Sequence, residues 1–329
     1  MSVQNSQIKN ILTSNKLRLA ISNKCNLSCG YCHNEGQPHN EQERFISMDY
    51  IQTMVKWFCD NNVYVKSVNV TGGEPLLHSE LISIIKEINR ITDDIHINTN
   101  GVLLTKALID TFLELNSIVM FGVDDISSGQ TKPFVEPTTV SIEHIRSMIK
   151  YAARKSKVHI NTVFSKFNYG KLDNLIDTFM DMGLESVKII RLNDFDPRGL
   201  NEDAAVSEEL KTNQMERDYF FDFRQKYIEK AWHYEVHPYL GRISVFLRKN
   251  DNTEFKILFC DDVCSSGACA NMFTEIDALG NLMVCPKHHI TSPIDFGGDF
   301  DSVCETISDG RNRMCDSFSN RYDLRGDQS

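Results

Sequence analysis

Three cysteines stand close together near the start of the chain: Cys25, Cys29 and Cys32, in the run Lys-Cys-Asn-Leu-Ser-Cys-Gly-Tyr-Cys-His. Three thiolates within eight residues can wrap one metal centre. Zinc would take His33 as a fourth ligand, though neighbouring Cys32 and His33 reach one ion awkwardly. Covalent haem fits Cys29-x-x-Cys32-His33 literally, but such attachment is expected where an export signal is present. An iron–sulfur cubane held by three cysteines leaves one iron open for chemistry, whereas four protein ligands favour electron transfer.

A second group lies more than 220 residues downstream: Cys260, Cys264, Cys269 and Cys285. Structural zinc on four cysteines is its plain reading. Residues 273–284 read as a hairpin turning near Asp277 and Asn281, which would bring Cys269 and Cys285 together. Cys304 and Cys315 are scattered, and Cys59 sits in an apolar helical pattern as core packing. Residues 1–10 are polar, with no signal core behind them. No run approaches the ~18 apolar residues of a membrane span. The expectation is a cytoplasmic chain with reduced thiols, so ten cysteines call for metal ligation.

The elements that must position these residues follow from periodicity. Short Val- and Ile-rich runs predict strands at residues 17–22, 65–71, 95–99, 118–123, 158–163 and 187–192. Spacings of i, i+3, i+4 predict helices at 48–61, 79–90, 105–114, 141–154 and 172–182. Ser47 and Ser141 are expected N-caps and Gly183 a helix stop. Six βα units predict an α/β chain with a parallel sheet and outer helices. Six are fewer than the eight of a closed barrel, so a partial (β/α)6 TIM-like barrel results, with functional groups at the carboxyl ends of its strands. Residues 193–207 read as a loop, in which Asp194, Asp196 and Arg198 are solvated charges or are placed to meet a substrate. Residues 208–232 read as one helix with a stripe of Phe220, Phe223 and Tyr227. From Val245 the elements read as short and cysteine-rich.

Cys-x-x-x-Cys-x-x-Cys with Tyr31 before the last cysteine resembles the signature of the radical S-adenosylmethionine (AdoMet, SAM) enzymes. The resemblance implies a [4Fe-4S] cluster on Cys25, Cys29 and Cys32 whose open iron is chelated by S-adenosyl-L-methionine. It implies reductive cleavage to a 5′-deoxyadenosyl radical that takes a hydrogen atom from substrate. Gly72, Gly73, Glu74 and Pro75 close the second strand and look like the family's segment for the AdoMet amino group. Thr99 and Asn100 close the third, and resemble its Thr-Asn-Gly segment. Asp124 or Asp125, ending the fourth, is similar to a ribose acceptor, or simply ends a strand in water. Asn161 needs a partner inside the barrel, which AdoMet or an ordinary core contact would supply. Arg191 would pair with the AdoMet carboxylate, an anionic substrate, or a structural acid.

Cys269, Gly280 and Cys285 resemble the twitch/SPASM-like module that carries an auxiliary [4Fe-4S] cluster. That implies three or four ligands among Cys260, Cys264, Cys269 and Cys285. The division implied is 1–16 extension, 17–206 core, 207–244 linking helix region, 245–320 auxiliary module and 321–329 polar tail. Within the superfamily the resemblance runs furthest toward the GTP 3′,8-cyclases of molybdopterin synthesis. Two departures stand against that activity: no arginine in residues 270–275, and an end without the cyclases' Gly-Gly. The resemblance implies a peptide of natural-product maturation, a sugar or a nucleoside as substrate, and reduced flavodoxin or a ferredoxin as electron donor. An iron–sulfur electron carrier and a metal-stabilised binding module remain the alternatives. The net charge of −10 argues against nucleic acid as partner, but leaves room for a basic pocket inside an acidic whole.

Overall fold

Apolar residues on alternate positions, mostly Val, Ile and Leu, build the six central strands. They are β1 (Lys16–Ala20), β2 (Ser67–Thr71), β3 (Ile95–Thr99), β4 (Ser117–Gly122), β5 (His159–Phe164) and β6 (Ser186–Arg191). Each pairs parallel with the one before it. The intervening helices are α1 (Met48–Asp60), α2 (Leu81–Ile88), α3 (Lys106–Glu114), α4 (Ile142–Ala153) and α5 (Leu172–Asp181). The computed structural model describes residues 16–29, 31–32, 42–127, 131–132, 141–192, 213–237, 242–249, 251–260, 273–285 and 290–319. Each expected strand occurs, with ends within about two residues of those predicted.

Local chemistry sets the helix ends. The hydroxyl of Ser47 accepts from the Tyr50 N–H and that of Ser141 from the His144 N–H, satisfying donors that a first turn leaves orphaned. After α5, Gly183 takes φ 84°. Its N–H bonds the Met180 carbonyl at 3.0 Å, and the Leu184 N–H bonds that of Phe179 at 3.2 Å. This is the paired closure of a left-handed helix stop.

The sheet has two unlike faces. Toward the helices point Val68, Val70, Ile95, Ile97, Phe121, Ile160 and Ile189, each with 0 % exposure. Toward the bore point Asn69, Asn98, Met120, Asn161, Val163 and Lys188, which are only half-buried. A closed barrel packs its interior with branched side chains. Here the bore is polar and reached by solvent.

The C-terminal part joins the same sheet on both flanks. After α6 (Gln214–Lys230) come β7 (His233–His237), β8 (Arg242–Arg248) and β9 (Glu254–Cys260). They form an antiparallel set whose last strand runs parallel to β6. On the other flank β10 (Phe273–Ile276) lies parallel to β1 and is followed by β11 (Asn281–Cys285) and β12 (Ile290–Pro293). The sheet order is β12-β11-β10-β1-β2-β3-β4-β5-β6-β9-β8-β7. The expected stripe Phe220, Phe223 and Tyr227 is buried under α6. The expectation of only short elements after Val245 is corrected. Strands β8 and β9 have seven residues each, and α7 (Phe300–Ser319) has twenty. Its buried face uses Val303, Cys304 and Ile307. Phe300 stacks on Trp57 of α1 at 5.4 Å. No helix among the described residues is long and apolar enough to cross a membrane.

The hairpin expected near Asp277 is present, and Asp277 shapes it by accepting from the N–H groups of Leu279 and Asn281. Gly280 stands at φ 78°, and a Cβ there would lie 2.4 Å from the Tyr50 ring of α1. The Tyr50 hydroxyl donates to the Gly280 carbonyl at 2.9 Å. Gly280 thus has a packing reason of its own. Gly280→Ala should lower stability by about 1–3 kcal/mol in urea unfolding, because strain and overlap add; an unchanged midpoint would contradict the tight hairpin–helix contact.

Candidate active site

Parallel pairing collects the carboxyl ends of β1 to β6 on one rim. The cysteine loop follows β1, the 72–75 segment follows β2, Thr99 and Asn100 end β3, Asp124 follows β4, and Arg191 ends β6. Two backbone bonds lock the first two together. The Gly73 N–H donates to the Ser22 carbonyl and the Glu74 N–H to the Lys24 carbonyl, both at 2.7 Å. A Cβ on Gly72 would lie 2.2 Å from the Ser22 oxygen, and one on Gly73 2.1 Å from that of Lys24. The close approach these glycines permit is to the cysteine loop's own backbone.

Glu74 is the centre of the rim. Its carboxylate is 1 % exposed. It accepts from the Thr99 hydroxyl at 2.7 Å, the Asn100 N–H at 2.8 Å and the Leu76 N–H at 3.1 Å. Burial pushes its pKa up to about 7 in spite of these donors. Thr99 also accepts from the Gly101 N–H. Both side chains therefore spend most of their bonding capacity inside the protein. Asn100 carries the connection onward, donating to Asn26 Oδ1 at 2.8 Å and to the Cys25 sulfur at 3.8 Å.

Cys25, Cys29 and Cys32 are half-buried and form no disulfide. Burial pushes Cys25 up to about 11 and Cys29 up to about 12. The thiols also raise one another. In the metal-free chain Cys25 and Cys29 hold their protons at neutral pH, and a thiophilic metal must displace them. Among the described residues no three Cys, His, Asp or Glu side chains are arranged to hold a single metal ion. Zinc needs such convergence on one point. A cubane offers irons at separate corners and spreads its ligands. His33 lies outside the described residues, as do Asp194, Asp196 and Arg198.

The end of β4 departs from expectation. Asp124 and Asp125 are 0 % and 2 % exposed, so neither ends a strand in water. Asp124 accepts from the Tyr31 hydroxyl and from the Val163 N–H at 2.8 Å. Lys132 lies 3.4 Å from its carboxylate and donates to Tyr31 at 2.8 Å. Burial raises the Asp124 pKa, and Lys132 and Tyr31 oppose the shift. Asp125 pairs with Lys171 at 2.9 Å. Sequence reasoning missed Lys132, which reaches Tyr31 across 101 positions. Gly122 leaves it room, since a Cβ there would lie 3.2 Å from its Nζ.

Asn161 has a buried Oδ1 with no hydrogen-bond partner among the described residues. Arg191 lies over the Phe221 ring at 5.9 Å. Cys260 is buried at the end of β9 and Cys285 ends β11, on opposite flanks of the parallel run. Cys264 and Cys269 fall outside the described residues. Cys304 is 1 % exposed and belongs to the core under α7.

Residues 19–179 match the family model of the radical SAM superfamily. A probable GTP 3′,8-cyclase of Sulfurisphaera tokodaii is 29 % identical over 239 residues, covering 70 % of this chain and 71 % of its own. The GTP 3′,8-cyclase of Clostridium perfringens is 31 % identical over 170 residues, 49 % of this chain and 50 % of its own. Among solved structures, Streptococcus suis SuiB bound to its precursor peptide SuiA gives a TM-score of 0.62 at 15 % identity, covering 91 % of this chain and 67 % of that one. Native anSMEcpe with bound AdoMet gives 0.66 at 13 %, covering 91 % and 82 %. At such identities these two structures share the fold.

Two outcomes test the role of Glu74. Glu74→Leu strips one buried and two part-buried donors of their acceptor and should cost roughly 3 kcal/mol or more in urea unfolding. A pKa raised to about 7 means the folded chain holds this proton more tightly than the unfolded one. The stability it contributes is full below about 4.5 and is lost as pH rises to about 7. Wild type should therefore lose stability relative to Glu74→Gln across that window and no further above it. A difference that stays flat or grows with pH would remove the raised pKa.

Proposed function

This chain belongs to the radical SAM superfamily, and from that premise we propose that it cleaves AdoMet reductively at a [4Fe-4S] cluster held by Cys25, Cys29 and Cys32. The observation that carries the reading is the rim: Gly73, Glu74 and Asn100 bind the cysteine loop to the ends of β2 and β3. When bound, the cluster and AdoMet supply the electron and the 5′-deoxyadenosyl radical that removes a hydrogen atom from substrate.

The chain's own residues bind, orient and shield. Asn100 donates toward the Cys25 sulfur, which suits an electron-rich thiolate. Lys132 puts a positive charge near Cys29 and holds the Tyr31 hydroxyl. The unpartnered Asn161 Oδ1 offers AdoMet an acceptor. Gly72, Gly73 and Pro75 contribute backbone rather than side chains to the amino-group site. Glu74 and Thr99 serve it by fixing that backbone. Asp124 reaches a ribose only with Tyr31 and Lys132 rearranged, and Arg191 is the cation at the β6 end of the rim.

An auxiliary [4Fe-4S] cluster on ligands drawn from Cys260, Cys264, Cys269 and Cys285 completes the proposal, with residues 245–320 as its module. The substrate is a peptide of natural-product maturation or another small molecule. Reduced flavodoxin or ferredoxin is the electron donor, and the cytoplasm the compartment that keeps these thiols reduced. The second reading, a GTP 3′,8-cyclase-like activity, draws its support from the name that the relatives bear.

Anaerobic reconstitution followed by dithionite and AdoMet tests the first step. Wild type should yield 5′-deoxyadenosine, and Cys29→Ala should abolish it. Iron near eight atoms per chain, roughly two cubanes, should fall by about half in Cys285→Ala. Iron uptake without AdoMet cleavage would make the chain a carrier, and zinc without iron a binding module.

A further inference from the structure

Among the described residues the sheet ends on a bare edge. Strand β7 pairs with β8 on one side and with no described strand on the other. Trp232, just before it, and Tyr234 and Val236 within it are 52 %, 51 % and 54 % exposed. Tyr234 stands opposite Val245 and Val236 opposite Ile243, and next across the sheet come Ile257 and Phe259 of β9. This is the core face of the sheet. Helix α6 closes it over β9, where Phe220 and Phe223 meet the Phe259 ring at 6.1 and 5.9 Å. Over β7 the same face lies open. An unpaired strand edge and a group of exposed apolar side chains each mark a place where another chain can pair.

The other face of β7 is charged, and its order selects the occupant. His233, Glu235 and His237 alternate along it. The two imidazoles lie 3.5 and 3.6 Å from the oxygens of Glu235, and all three side chains are about half exposed. By charge the run His-Tyr-Glu-Val-His is the same in both directions. A second copy turned about a twofold axis therefore offers a matching strand, antiparallel to the first. Register decides how well the two fit. With Glu235 opposite itself, two carboxylates face each other, which is destabilising. With Val236 opposite itself, Tyr234 meets Pro238, which has no N–H for a ladder. With Tyr234 opposite itself, each His233 meets the partner's Glu235, and each Trp232 meets the partner's Val236. That register joins opposite charges on one face and apolar groups on the other.

We propose that β7 is a self-association surface, through which two copies of this chain join by an antiparallel β7–β7 pairing centred on Tyr234. The twofold axis stands perpendicular to the sheet, so the core face of one copy continues into that of the other and Tyr234 and Val236 leave water. Strand β7 is the last of the sheet, beyond β8 and β9, and carries neither the cysteine loop nor the 72–75 segment. The surface is thus independent of the radical SAM reading and goes beyond it.

Sedimentation velocity of the anaerobically reconstituted full chain provides the test. Wild type should run as a dimer. Tyr234→Lys sets two ammonium groups together at the axis, and His233→Glu sets acid against acid twice over. Each should weaken association by about tenfold or more. Adding Glu235→Lys to His233→Glu reverses both charges and should restore the dimer, which a merely misfolded variant cannot do. Tyr64→Lys, at an equally exposed tyrosine before β2, should leave the dimer intact. A monomeric wild type overturns the proposal. So does a dimer that withstands Tyr234→Lys and His233→Glu, or a double variant that stays monomeric. An assembly that grows past two copies overturns it as well, because a closed twofold stops there. Formation of 5′-deoxyadenosine is scored on the same samples. A dimer that makes none keeps the surface and loses the radical reading, and a productive monomer does the reverse.

Discussion

One buried carboxylate organises the rim. Glu74 leaves the end of β2, accepts the Thr99 hydroxyl and the Asn100 N–H from the end of β3, and caps its own short turn through Leu76. Hydrogen bonds to a carboxylate in a low-dielectric interior are strong, and each orphaned donor would be expensive. The arrangement therefore has little freedom. Asn100, once fixed by its backbone, turns its side chain to Asn26 and Cys25. From the other side, Gly72 and Gly73 admit the Ser22 and Lys24 carbonyls at distances no Cβ would allow. The cysteine loop is thus held by bonds that exist before any cluster arrives.

The rest of the architecture follows from the difference between the two faces of the sheet. The helix side is apolar and closed, and it supplies the core. The bore side is freed from that task and carries Asn, His, Lys and Arg. A polar bore reached by solvent thus lies beneath a thiol-bearing rim, and on the proposed reading the radical forms at that rim. The flanking strands β9 and β10 extend the parallel run on both sides, so the wall of the bore includes residues far apart in sequence, such as Arg18, Glu275 and Arg242.

Much of this was legible in the sequence because it was local. The Val and Ile runs of β1 to β6, the caps Ser47 and Ser141, the stop at Gly183 and the turn near Asp277 each depend on residues within a few positions of one another. The cysteine spacing and the Gly-Gly-Glu-Pro segment were equally visible. What could not be read was long-range. Lys132 meets Tyr31 across 101 positions. The joining of β9 to β6 and the burial of Asp124 and Asp125 are tertiary facts with no periodic signature. The glycines were noticed, but their neighbour is the Ser22 and Lys24 backbone, which only the fold reveals. Helix α7 was missed although Phe300, Val303, Cys304 and Ile307 have helical spacing, because the cysteines around it suggested small irregular elements.

Electron paramagnetic resonance of the reconstituted, dithionite-reduced protein, recorded with and without AdoMet, tests most directly whether Cys25, Cys29 and Cys32 hold a cluster with one open iron. The expected result is a reduced-cluster signal whose shape changes when AdoMet is added, and the absence of that AdoMet-sensitive signal in Cys25→Ala. A spectrum indifferent to AdoMet, or a sensitive signal that survives the loss of Cys25, would contradict it.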